Sequence, residues 1–87
     1  PYVVIVYDVA QERVQRVLHY LRRYLNWVQN SAFEGFLTEA QLAQVCQELT
    51  ALIDTEQDSV YVYELPSERF LRRRVLGREK GSRDTIL

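Results

Sequence analysis

Tyr2-Val3-Val4-Ile5-Val6-Tyr7 is wholly β-branched or aromatic, and Asp8 ends the run. Such a segment predicts a buried central strand that stops at the carboxylate. From Gln11 to Leu25 the period changes. Val14, Val17, Leu18, Leu21, Leu25 and Val28 recur at steps of three and four, the apolar face of a helix. Arg13, Arg16, Tyr20 and Arg23 fall on a neighbouring stripe at the same steps. Asp8 or the loop after it is placed to cap this helix. Trp27 to Leu37 is extended in character, as one bent strand or a tight pair of short ones. Trp27, Gln29, Ser31 and Phe33 would share one face, and Val28, Asn30 and Ala32 the other. Gly35 points to a bulge or a close backbone approach.

Thr38 followed by Gln41 fits a capping box and opens a second helix. Its inward face is Leu42, Val45, Cys46, Leu49, Leu52 and Ile53. After an acidic turn from Asp54 to Asp58, Ser59 to Leu65 reads as a strand that Pro66 stops. Ser67 to Arg73 suits a helical turn, Arg74-Val75-Leu76 a short strand, and Thr85-Ile86-Leu87 the start of a last one. This order packs naturally as two helices on one face of an antiparallel sheet. The expected fold class is α+β: a ferredoxin-like βαββαβ sandwich with an extra C-terminal strand. One domain is expected over residues 1–87, with a basic C-terminal segment at 69–87.

Length and composition refine this picture. A chain of 87 residues, 47% apolar, supports one core and makes oligomerisation a live possibility. The single cysteine, Cys46, excludes an intrachain disulfide and fits a reducing, cytoplasmic setting. Lying in an apolar stripe, it reads as structural rather than nucleophilic. No apolar run approaches membrane-spanning length, so no membrane role is expected. The net charge of −1 hides an asymmetry. Residues 1–68 hold ten acidic and four basic side chains, whereas residues 69–87 hold seven basic and two acidic. The tail is a candidate contact for phosphate or an acidic partner, or else a solvated, charge-protected edge.

Several chemistries are discounted by the residues present. There is no glycine-rich phosphate loop and no paired-cysteine zinc motif. The only histidine, His19, falls off the apolar face of the first helix, which excludes a two-histidine metal site. Asp8 differs, because a carboxylate at the tip of a buried strand is rigidly held with its end exposed. Mg²⁺ favours oxygen ligands and often takes only one or two carboxylates. The competing reading is that Asp8 only caps the helix. If the domain forms a two-fold dimer, two Asp8 side chains could face each other across the axis. A cation would relieve their repulsion and polarise a phosphodiester or activate water.

Three segments together resemble a known family. Val4-Ile5-Val6-Tyr7-Asp8-Val9 opens the chain, Gln29-Asn30-Ser31-Ala32-Phe33-Glu34-Gly35 follows the first helix, and Leu76-Gly77-Arg78-Glu79 lies near the end. The set is similar to the small CRISPR-associated endoribonuclease family, the smaller of the two CRISPR adaptation proteins. The resemblance implies a homodimer of ferredoxin-like domains with Mg²⁺ held between two copies of Asp8. It implies endonuclease activity on RNA or DNA and partnership with the CRISPR-associated integrase. It also implies site roles for Tyr7, Asp8, Ser31 and Phe33. Arg13, Arg16, Arg23, Arg72 and Arg78 are the candidate nucleic-acid contacts. Asn30 and Ala32 depart from the aromatic and valine often seen beside that serine. Two other readings remain beside the metal-dependent nuclease. One is a non-catalytic dimeric scaffold that binds duplex DNA and bridges integrase dimers. The other is a ferredoxin-like toxin ribonuclease.

Overall fold

The computed structural model describes residues 1–81. Along the chain come β1 (Tyr2–Asp8), α1 (Gln11–Arg22), β2 (Asn26–Gln29), β3 (Ala32–Phe36), α2 (Glu39–Leu52) and β4 (Ser59–Leu65), then a 3-10 turn at Glu68–Phe70. The sheet order is β2-β3-β1-β4, and all neighbours are antiparallel. This is the expected ferredoxin-like α+β arrangement. The segment Trp27 to Leu37 resolves into two strands joined through Asn30 and Ser31, with Asn30 in the left-handed region at φ 36°. An asparagine tolerates that region better than most residues.

β1 lies at the centre and its alternation sorts the molecule into two faces. Val3, Ile5 and Tyr7 point toward the helices and are buried with Phe33, Val17, Leu21, Leu37, Leu42, Val45 and Leu49. Val4, Val6 and Asp8 point the other way, where no helix covers them. Their neighbours in register are Tyr63, Tyr61 and Ser59 of β4, and Glu34 and Ala32 of β3.

α2 begins with the expected capping box: Gln41 N donates to Thr38 Oγ1 at 3.1 Å and Thr38 N donates to Gln41 Oε1 at 2.9 Å. α1 stops at Arg22, earlier than the apolar period suggests, so Leu25 packs from the following turn. Leu25 lies directly over Gly35: a Cβ there would sit 2.9 Å from Leu25 Cδ2. Gly35 therefore marks a close approach. Cys46 corrects the expected inward face of α2. Val45 and Leu49 point at the sheet, and Cys46, one step further round the helix, is exposed at the rim. Arg74-Val75-Leu76 forms no strand, and Thr85-Ile86-Leu87 lies outside the described residues.

The start of α1 has no local side-chain cap. Neither Asp8 nor the following loop supplies one. Asp58, far along the chain, takes that place. Its carboxylate accepts from Ala10 N at 2.9 Å, from Asp54 N at 2.9 Å, and from Arg13 Nε at 2.6 Å and Nη2 at 3.1 Å. The Arg13 guanidinium, and then these backbone amides, hold the Asp58 carboxyl well below the usual carboxylate range.

Two outcomes follow from this packing. Gly35→Val should destabilise the fold by about 2–3 kcal/mol, the cost of overfilling a packed contact. Urea denaturation will measure it, and an unchanged midpoint would contradict the close approach. Because Asp58 is depressed on folding, the unfolded chain binds more protons between the two pKa values, and stability rises with pH there. The native protein should hold this contribution above about pH 4, the ordinary aspartate range, and lose it on further acidification. In Asp58→Asn the acid slope of the thermal midpoint should flatten.

Candidate active site

Asp8 is the last residue of β1, and Ser59 of β4 pairs with it. Its side chain is exposed on the uncovered face of the sheet. Among the described residues no side-chain hydrogen bond or ion pair engages it, since the helix-capping work falls to Asp58. Strand pairing fixes its backbone while its oxygens stay available. Ser31 reaches the same end of the sheet: its carbonyl accepts from Tyr7 N at 3.0 Å.

Tyr7 and Phe33 sit differently from what a substrate contact requires. Both are buried on the helix side, opposite Asp8, with ring centroids 6.3 Å apart and nearly parallel planes. Their contribution here is to anchor the strand end from behind. Burial pushes the Tyr7 hydroxyl upward, away from ionisation near neutral pH. Arg13 is not available as a nucleic-acid contact, because its guanidinium is bound to Asp58 and mostly shielded. Arg16 remains exposed. Arg23 is exposed as well but leans on the rings of Tyr20 and Tyr24, at 5.8 and 5.9 Å from their centroids. His19 is exposed on α1.

The tail after β4 crosses the same uncovered face. Arg73 bonds Glu34 on β3, and Tyr2 Oη donates to Glu34 Oε2 at 3.1 Å. Burial and this carboxylate push the Tyr2 hydroxyl up to about 12. Further on, the tail runs close along β2, where a Cβ on Gly81 would lie 3.1 Å from the Val28 carbonyl. Arg72 and Arg78 are exposed on the tail. Arg74, Arg78 and Lys80 line a cleft of about 620 Å³ between tail and sheet, together with Trp27.

Sequence reasoning did not single out Asp58, Glu34 or Arg73. Asp58 read as one acid of the acidic turn from Asp54 to Asp58. The one signal at Glu34 was a carboxylate set inside an otherwise apolar strand, Phe33-Glu34-Gly35-Phe36.

Beyond Tyr2 and Glu34 the uncovered face is apolar and open. Val6 is 39% exposed, Tyr61 59% and Tyr63 55%, and the two tyrosine rings stack at 6.4 Å. Asp8 stands at the end of this patch. As a metal ligand it offers hard oxygen donors, the kind Mg²⁺ takes. Among the described residues no group of three or more histidine, cysteine, aspartate or glutamate side chains gathers to hold a metal. The chain by itself thus offers only a partial donor set at Asp8.

Comparison with known proteins gives this geometry its family. Residues 1–73 match the family model for CRISPR associated protein Cas2. A relative from Methanothermobacter thermautotrophicus, named CRISPR-associated endoribonuclease Cas2, is 54% identical over 86 residues, covering 99% of this chain and 94% of its own. A crystal structure of a Cas2 superposes with a TM-score of 0.87 at 43% identity, over 99% of this chain and 97% of the other. The Streptococcus pyogenes Cas2 structure gives 0.79 at 32%, over 88% of this chain and 100% of the other. With its βαββαβ fold and a strand-tip aspartate, the chain belongs to the Cas2 family of CRISPR-associated proteins.

Proposed function

We propose that this chain is a Mg²⁺-dependent endoribonuclease of CRISPR adaptation that works as a homodimer with the CRISPR-associated integrase in the cytoplasm. The observation that carries this reading is the free, rigidly held Asp8 carboxylate at the end of an uncovered apolar face. A solvent-exposed patch of Val6, Tyr61 and Tyr63 favours burial against another surface. A second copy placed on it about a two-fold axis brings two Asp8 side chains to the same edge. Mg²⁺ bound there would polarise a phosphodiester and lower the pKa of a bound water. The chain's own residues hold that site. Pairing of β1 with β3 and β4 fixes Asp8, and Tyr7 packed on Phe33 keeps the strand end from moving. Arg16 and the tail arginines Arg72 and Arg78 would hold phosphates and set the register of the nucleic acid. RNA is the first substrate to test, since the relatives are named endoribonucleases, with DNA beside it.

A second reading is supported by the incomplete donor set and the exposed basic tail. In it the dimer holds duplex DNA for the integrase without cutting. The two readings part at Asp8. Asp8→Asn should lower Mg²⁺-dependent cleavage of a short RNA at least about a hundredfold, or about 2.7 kcal/mol of transition-state stabilisation. Equal cleavage by native protein and variant would leave the scaffold reading. The homodimer has its own test. Val6→Asp with Tyr61→Asp should sediment as a monomer at micromolar concentration and lose cleavage, although Asp8 is intact. A fully active monomer would overturn the shared site.

A further inference from the structure

We infer that Asp58 and Arg13 are positioning residues for Asp8: a saturated, charge-neutralised carboxylate that locks the backbone just beyond the metal ligand to the start of the strand paired with it. The inference rests on the reading of Asp8 as that ligand.

The local topology is a small closed ring. Asp8 pairs with Ser59 across the β1–β4 ladder. Ser59 follows Asp58 in the chain, and Asp58 Oδ1 accepts from Ala10 N at 2.9 Å. Ala10 lies two residues beyond Asp8. The carboxylate therefore ties the exit of β1 to the entry of β4, so Asp8 lies between its strand pairing on one side and the fixed Ala10 amide on the other. Without this bond Asp8 would be the last anchored residue of a strand running into an uncapped helix start.

Asp58 does not look like a ligand itself. A carboxylate accepts about four hydrogen bonds, and here four N–H donors occupy it. Oδ1 takes Ala10 N and Arg13 Nη2, and Oδ2 takes Arg13 Nε and Asp54 N. Its side chain is 1% accessible. Arg13 neutralises its charge, so a second acid can lie close behind Asp8 without adding free negative charge there. The two-nitrogen grip also orients the carboxylate, which a point charge would not do. Residues that support a metal ligand tune its affinity even when they never touch the ion.

The test uses the full chain and Mn²⁺ alone as probe, with two readouts that need no catalysis. One is Mn²⁺ affinity by titration calorimetry, and the other is hydrogen exchange at the Ala10 amide. Asp58→Asn should weaken Mn²⁺ binding about tenfold, the low end for loss of a supporting contact, and speed Ala10 exchange, at a temperature where the variant remains folded. Arg13→Lys keeps the charge and the Asp58 acceptors but loses the fork. It should shift both readouts in the same direction by less, and it decides the matter if Asp58→Asn does not fold. Binding that is lost in Asp8→Asn but unchanged in the folded Asp58 and Arg13 variants overturns this inference alone. Binding unchanged in Asp8→Asn overturns it together with the reading of Asp8 as ligand.

Discussion

The register of β1 is the constraint on which the rest depends. It is the central strand, paired with β3 along one side and β4 along the other. Side chains alternate strictly across a sheet, so a slip of one residue would exchange its two sets. Tyr7 would then leave the core and Asp8 would enter it, an unpaired charge among Phe33, Val17 and Leu21. The cost of burying a bare carboxylate makes that alternative inaccessible. The same alternation that builds the core thus also delivers Asp8 to the open face.

The sequence-level expectations were accurate where one local rule governed the outcome. Strand β4 and the capping box at Thr38 each follow from neighbours a few residues away, and a glycine inside a strand marks its own close approach at Gly35. They were poorer where the deciding partner was distant. Asp58 and Arg13 are 45 residues apart, and Glu34 and Arg73 are 39 apart. Nothing in the periodicity of either segment pairs them. Arg13 accordingly read as one arginine of a stripe of candidate nucleic-acid contacts, and Cys46 as part of an inward face that in fact runs through Leu42, Val45 and Leu49 and leaves it exposed. Asp8 was legible as a position, because a carboxylate that ends an apolar strand is a local feature. Its freedom from capping was not, since that depends on Asp58.

The uncovered face is divided by the tail. Tyr2, Val4 and Val6 alternate outward on one strand, yet Tyr2 is buried and Val6 is exposed. Arg73 accounts for the difference: its bond to Glu34 draws the tail across the Tyr2 end of the face and leaves the Asp8 end open. The basic segment is therefore held beside the apolar patch without occupying it. Arg74, Arg78 and Lys80 line the adjoining cleft.

Under the proposed homodimer the open end has two deficits with one remedy. The patch of Val6, Tyr61 and Tyr63 lacks cover, and Asp8 lacks fellow ligands. A second copy supplies both, but it also brings two carboxylates to one edge, where they repel. Apolar burial favours assembly and the paired acids oppose it, until a cation balances them. Metal binding and dimerisation are then thermodynamically linked, since an ion that binds the paired state stabilises it by mass action. A small domain with one free carboxylate at that edge can in this way make its chemistry conditional on its own association.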